Sequence, residues 1–75
     1  MAFAGYTVAR KNVFNTSVCD SKSTYEDTEV RDIVSTLMDE NRSGDVIMVW
    51  EEDTEDSGYL LVSYFNHPFT GWCKE

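Results

Sequence analysis

One stretch constrains the fold more than any other: five apolar residues, Val30, Ile33, Val34, Leu37 and Met38, spaced by three, one, three and one. That spacing is the single apolar stripe of a helix packed on a core. Before it stands Ser23-Thr24-Tyr25-Glu26, which reads as a capping box, a hydroxyl for a free amide and a carboxylate three residues on that reaches back. Behind it come Asn41-Arg42-Ser43-Gly44, with Gly44 suited to the left-handed conformation in which helices end. The spacing predicts a helix over 24–41.

A helix with one apolar side needs something flat to cover. Val46-Ile47-Met48-Val49-Trp50 and Tyr59-Leu60-Leu61-Val62-Ser63-Tyr64-Phe65 are β-rich runs joined by a polar, glycine-ended loop, the pattern of an antiparallel hairpin. Upstream, Tyr6–Arg10 and Val13–Val18 also read as strand, with Lys11-Asn12 as a tight turn or the bend of one longer strand. Asp20-Ser21-Lys22 then leads into the helix. Asn66-His67-Pro68 ends the last strand, since proline offers no ladder donor, and Phe69–Cys73 is a short tail whose Trp72 packs back on the sheet. The expected architecture is α+β, a small antiparallel sheet with one amphipathic helix packed on it, in the order β(β)αββ. Residues 1–75 form a single domain with a small core.

Charge is distributed unevenly. Residues 20–56 hold 13 acids against Lys22, Arg31 and Arg42, a net −10 in a chain whose total is −8. At about 100° per residue, Glu29, Asp32, Thr36, Asp39 and Glu40 fall opposite the apolar stripe. Carboxylates at helical steps of three or four repel one another by a few tenths of a kcal/mol. Asp39 and Glu40 also meet the unfavourable end of the helix dipole. Stability alone does not ask for this pattern. Five of the six residues Glu51, Glu52, Asp53, Thr54, Glu55 and Asp56 are acidic as well. Such a surface repels nucleic acid and anionic membranes, so no direct binding to either is expected.

Catalysis finds little support. His67 is the sole histidine and reads as a solvated turn residue before Pro68; a pairing with Cys19 or Cys73 has no local signature. The carboxylates look solvent-facing, whereas acid–base tuning needs burial. Asp53, Glu55, Ser57 and Gly58 match the opening of a calcium loop, but Tyr64 stands where a closing glutamate is required. No enzyme activity, cofactor or metal is expected. The two cysteines read as reduced, partly buried thiols, or as one bridge that ties down the C-terminus. No apolar run reaches the ~20 residues of a membrane span, and the first residues lack a secretory pattern. A cytoplasmic protein is expected.

Both strands of the hairpin are apolar at nearly every position, so the sheet's second face is also expected to be buried. An exposed patch there would mark a partner or homodimer interface. The carboxylates, meanwhile, sit at a spacing close to that of phosphates along a nucleic-acid strand. A folded surface of that kind can occupy a basic groove, steered there as DNA would be.

The acidic helix, Asp45-Val46-Ile47-Met48-Val49, the acidic turn, Tyr59-Leu60-Leu61-Val62 and the Pro68…Trp72 ending resemble, over about residues 19–72, the layout of phage uracil-DNA glycosylase inhibitors, which are DNA mimics. The resemblance implies a strategy rather than a target: a small acidic inhibitor, phage-encoded, that blocks the basic site of a host repair, restriction, CRISPR or transcription protein. Glu29, Asp32, Asp39, Glu40, Glu51, Glu52, Asp53, Glu55 and Asp56 would carry the contact, with Trp50 and Tyr64 as aromatic anchors. The alternative is an interaction module or homodimer that uses an aromatic sheet face, its acids serving solubility.

Overall fold

The computed structural model describes residues 3–55 and 58–75. It shows the α+β class: one five-stranded antiparallel sheet, in spatial order β2-β1-β3-β4-β5, with a helix on one face. The strands are β1 (Phe3–Asn12), β2 (Cys19–Thr24), β3 (Asp45–Asp53), β4 (Tyr59–His67) and β5 (Gly71–Lys74), and the helix is α1 (Asp27–Asp39).

The hairpin of β3 and β4 forms where expected, with Ile47 opposite Tyr64 and Val49 opposite Val62. A bulge follows, so that Trp50 faces Leu60 and Leu61 becomes the extra residue. The element order differs from expectation at both ends. Val13–Val18 is a turn, not a strand. The Asn12 side chain accepts hydrogen bonds from the Phe14 and Asn15 amides at 2.8 and 3.0 Å, and Asn15 accepts one from the Ser17 amide. Side-chain oxygens thus take the amides that a ladder would need. The strand that pairs with β1 lies further on, where Cys19–Thr24 runs antiparallel to Tyr6–Lys11. Asp20-Ser21-Lys22 is the middle of that strand rather than a leader. The tail too is a strand, Gly71–Lys74 pairing with Tyr64–His67. The order is therefore ββαβββ.

The helix is shorter than 24–41 because Ser23 and Thr24 belong to β2. No capping box forms between Ser23 and Glu26: Glu26 itself is the N-cap, without a side-chain capping bond. Thr24 Oγ1 instead accepts from the Glu26 amide at 3.2 Å and donates to Glu29 Oε2 at 2.6 Å, which fixes the entry to the helix. At the other end the left-handed position falls to Asn41 (φ 47°), whose amide closes on the Met38 carbonyl at 3.0 Å. Gly44 (φ 86°) makes the subsequent turn into β3.

The apolar stripe behaves as its spacing requires. Val30, Ile33, Val34, Leu37 and Met38 pack on a core of Val8, Ile47 and Val49, joined by Val62, Tyr64 and Trp72. Trp72 reaches the helix as well as the sheet, donating from Nε1 to the Met38 carbonyl at 3.3 Å. Among the described residues only three apolar side chains are buried, a small core even for this chain length.

Next to that core, between β1, β3 and the end of α1, sits a buried polar cluster. Arg10, Asn12, Asp45 and Asn66 are all buried. Asn12 Nδ2 donates to Asp45 Oδ1 at 2.8 Å and to the Ser43 carbonyl at 2.9 Å. Asn66 Nδ2 donates to the Arg42 carbonyl at 3.0 Å, and its own carbonyl accepts from the Gly44 amide at 2.8 Å. These bonds lock the helix exit to the start of β3.

Candidate binding surface

Alternation along each strand sorts side chains between the two faces. Asp45, Ile47 and Val49 of β3 lie under the helix and are buried, and Glu51 continues that row. Val46, Met48 and Trp50 lie on the opposite face and are half-buried. Tyr64, paired with Ile47, shares the helix side. The two expected anchors, Trp50 and Tyr64, are therefore on opposite faces of the sheet. They cannot form one aromatic contact.

The acidic side chains divide in a similar way. Some serve the fold. Arg10 bonds to Asp20 through Nη2 and through Nε at 3.0 Å, and its Nη1 lies 2.9 Å from Glu40 Oε1 and 3.7 Å from Asp45 Oδ2. Hydrogen bonding by Asp20, with help from Glu40, raises the Arg10 guanidinium above its ordinary value against the opposing effect of burial. Arg42 adds a second contact to Glu40 at 3.3 Å. Glu40, expected among the docking residues, is thus engaged by two arginines at the helix exit. Those two cations also relieve the dipole penalty foreseen at that end.

Other acids are presented outward. Asp32 and Asp39 are exposed on the solvent side of α1 and form no ion pair among the described residues. Glu29 is exposed but bonded to Thr24. Asp27 and Glu29 occupy the first turn, where the dipole favours them. The strand register places the hairpin acids at this same end. Thr24, at the helix entry, pairs with Tyr6, and Tyr6 pairs with Glu51. Glu51 accepts a hydrogen bond from the Tyr59 hydroxyl, which holds the Tyr59 proton above the usual tyrosine range. Glu52 and Asp53 are half-buried, Glu55 is exposed, and the Glu55 amide donates to Asp53 Oδ1 at 2.8 Å. Asp56 lies outside the described residues.

No described element covers the second face of the sheet, which carries Val46, Met48, Trp50 and Phe65, so the expected burial of that face is absent within one chain. On the helix side, α1 lies over β1, β2 and β3 and stops short of β4. It leaves an apolar groove of about 510 Å³ between Val30, Val34 and Met38 on one wall and Leu61, Val62 and Tyr64 on the other.

The remaining candidates have structural positions. The His67 ring packs between Phe65 and Phe69, and its Nδ1 accepts from the Phe69 amide at 3.2 Å. Cys19 and Cys73 are free and exposed rather than partly buried. They end one cross-strand row, Cys19–Lys11–Val46–Phe65–Cys73, on the two outermost strands. Four strand spacings separate them by about 19 Å, far beyond disulfide reach. Among the described residues no helix is long and apolar enough to cross a membrane. Comparison of the chain with protein-family models, with curated proteins and with solved structures gives no match.

Proposed function

We propose that the chain is a non-catalytic acidic binding protein of the DNA-mimic type, which occupies the basic nucleic-acid groove of a partner and blocks it. The observation that carries this reading is the outer face of α1. Asp32 and Asp39 stand two helical turns, about 10.5 Å, apart along the axis, which is about three phosphate steps of one DNA strand. Both are exposed on a helix pinned by its apolar stripe, so the charges are held in place before binding. Arg10 and Arg42 are committed to Asp20, Glu40 and Asp45 rather than to Asp32 or Asp39. The first helical turn and the β3 end extend the same negative field. A phage origin and a nucleic-acid-handling host target in the cytoplasm fit this role.

The test is capture of partners from nuclease-treated bacterial lysate, with duplex DNA as competitor. Wild-type chain should retain a partner at low salt, release it to DNA and lose it as salt rises. Asp32→Lys with Asp39→Lys should abolish capture. Retention that ignores both the charge reversal and the DNA refutes the mimic.

A second reading has its own observation, the uncovered row Val46, Met48, Trp50 and Phe65. An interface there would give a homodimer or a docked partner whose affinity is insensitive to salt and lost with Trp50→Arg. Sedimentation equilibrium separates it from the first reading.

A further inference from the structure

The two edges of the sheet are built differently. The β2 edge is a polar strand in which Asp20 and Lys22 discourage pairing with another chain. The opposite edge is only half closed. β5 pairs with Tyr64–His67, and the Glu75 amide extends the contact to the Ser63 carbonyl at 2.9 Å. Beyond that point Tyr59–Val62 has β3 on one side and no described strand on the other. The uncovered stretch is apolar: Tyr59, Leu60 and Leu61 are 49%, 46% and 48% exposed. It borders the groove left between α1 and β4.

Three properties therefore coincide: an edge with no described strand partner, a groove for apolar side chains beside it, and acids at both ends. Asp39 lies on the groove's rim near the helix exit, and Arg31 stands on the same wall nearer the helix entry. Glu51, bonded to Tyr59, with Glu52 and Asp53 behind it, lies at the other end. We propose that a basic, extended segment of the partner adds to the sheet as a sixth strand along Tyr59–Val62. Its alternate apolar side chains seat in the groove, and Lys or Arg side chains flanking them on that same face reach Asp39 at one end and Glu51 at the other. Strand addition supplies affinity through main-chain bonds and selectivity through alternate side chains. A second copy of this chain fits poorly, because each copy carries −8. A helix would leave the edge amides and carbonyls unanswered.

This inference rests on the reading that the partner is basic, and the experiment separates the two. The probe is a labelled nine-residue Lys–Val peptide with Lys at positions one and nine, Val at three, five and seven and Thr between, which puts Lys and Val on one face of a strand, followed by fluorescence anisotropy and backbone amide exchange. Its controls are the same peptide with alternate amides N-methylated and a Thr–Val peptide of equal length. The Lys–Val peptide should bind at least about tenfold tighter than either control, and protection should rise at Tyr59–Val62. Leu61→Asp should weaken binding about tenfold even though it adds a negative charge, so the loss cannot be repulsion of a basic peptide.

Absence of binding, equal affinity for the methylated peptide, or protection confined to the outer face of α1 overturns the added strand and leaves the mimic reading standing. Equal affinity for the Thr–Val peptide overturns the basic partner. Concentration-dependent protection of Tyr59–Val62 without peptide assigns the edge to a second copy and overturns the proposal. A basic helical peptide that binds without protecting that edge does the same.

Discussion

Arg10→Met should cost this domain a large part of its stability, and one carboxylate should account for most of the loss. Arg10 touches three acids of unequal burial. Asp20 and Glu40 are 56% and 40% exposed, so water takes over when the guanidinium is removed, and each pair is worth about 0–1 kcal/mol. Asp45 is different: its side chain is 0% exposed. Its Oδ2 has no hydrogen bond and faces Arg10 Nη1 at 3.7 Å. At an effective dielectric of about 20 that attraction is about 4 kcal/mol before desolvation is counted. Stranding a buried charge costs about 3–5 kcal/mol. A chain of this length has about 4–11 kcal/mol in all. Thermal midpoints should fall by at least about 12 °C.

A double-mutant cycle isolates the cause. Asp45→Asn keeps an acceptor for Asn12 and removes the charge. In that background Arg10→Met should cost only about 1 kcal/mol, the worth of two half-exposed pairs. Urea unfolding followed by far-UV circular dichroism measures both legs, with equal m-values as the check on two-state behaviour. An Arg10→Met cost that is the same in both backgrounds, or below about 1 kcal/mol in wild type, refutes the claim that Asp45 depends on Arg10.

Three further outcomes follow from single contacts. Tyr59 should titrate above an ordinary tyrosine because Glu51 accepts its hydrogen bond, and Glu51→Gln should bring it back down, read by absorbance at the phenolate band. Since the folded-state value is raised, the small stability this bond contributes is present below the unfolded tyrosine value and is lost as pH rises through the folded one. Gly44→Ala should destabilise by about 1–3 kcal/mol, from the left-handed backbone at φ 86° and a Cβ that would run into the Phe14 ring; an unchanged urea midpoint would count against it. Cys19 and Cys73 should both react with a thiol reagent in the native, unreduced protein, two equivalents per chain, and a value near zero would mean that they pair.

The sequence announced those parts of the fold that are periodic. The stripe from Val30 to Met38 and the apolar runs of β3 and β4 follow from spacing alone. The edge strands carry no such signal. Cys19–Thr24 is polar, as suits an edge strand with no described strand beyond it, so only pairing with β1 makes it a strand. Val13–Val18 misled for the opposite reason: its apolar composition suggests strand, yet Asn12 and Asn15 divert its amides. Arg10 had a faint signal that went unread. It alternates with Val8 on the inward side of β1, and Asp45 opens an apolar strand directly after a glycine. That Trp50 and Tyr64 take opposite faces of the sheet was not legible either, because it depends on the register of β3 with β4.

The division of the acids then bears on how the formal charge should be understood. Asp20, Glu40 and Asp45 answer Arg10, and without them the helix exit would hold a buried cation among buried amides. They are part of the scaffold that holds the helix exit. In the proposed reading, recognition falls to the outer face of α1 and to the far end of β3, the latter away from the Arg10 cluster. The small core of Val8, Ile47 and Val49 and the polar lock at the helix exit together hold α1 on the sheet. Charge reversal at Asp32 should therefore change binding and leave unfolding nearly untouched, whereas reversal at Asp45 should do its damage through the fold. If Asp32→Lys instead lowered stability by more than about 1 kcal/mol, the separation of scaffold acids from presented acids would be wrong.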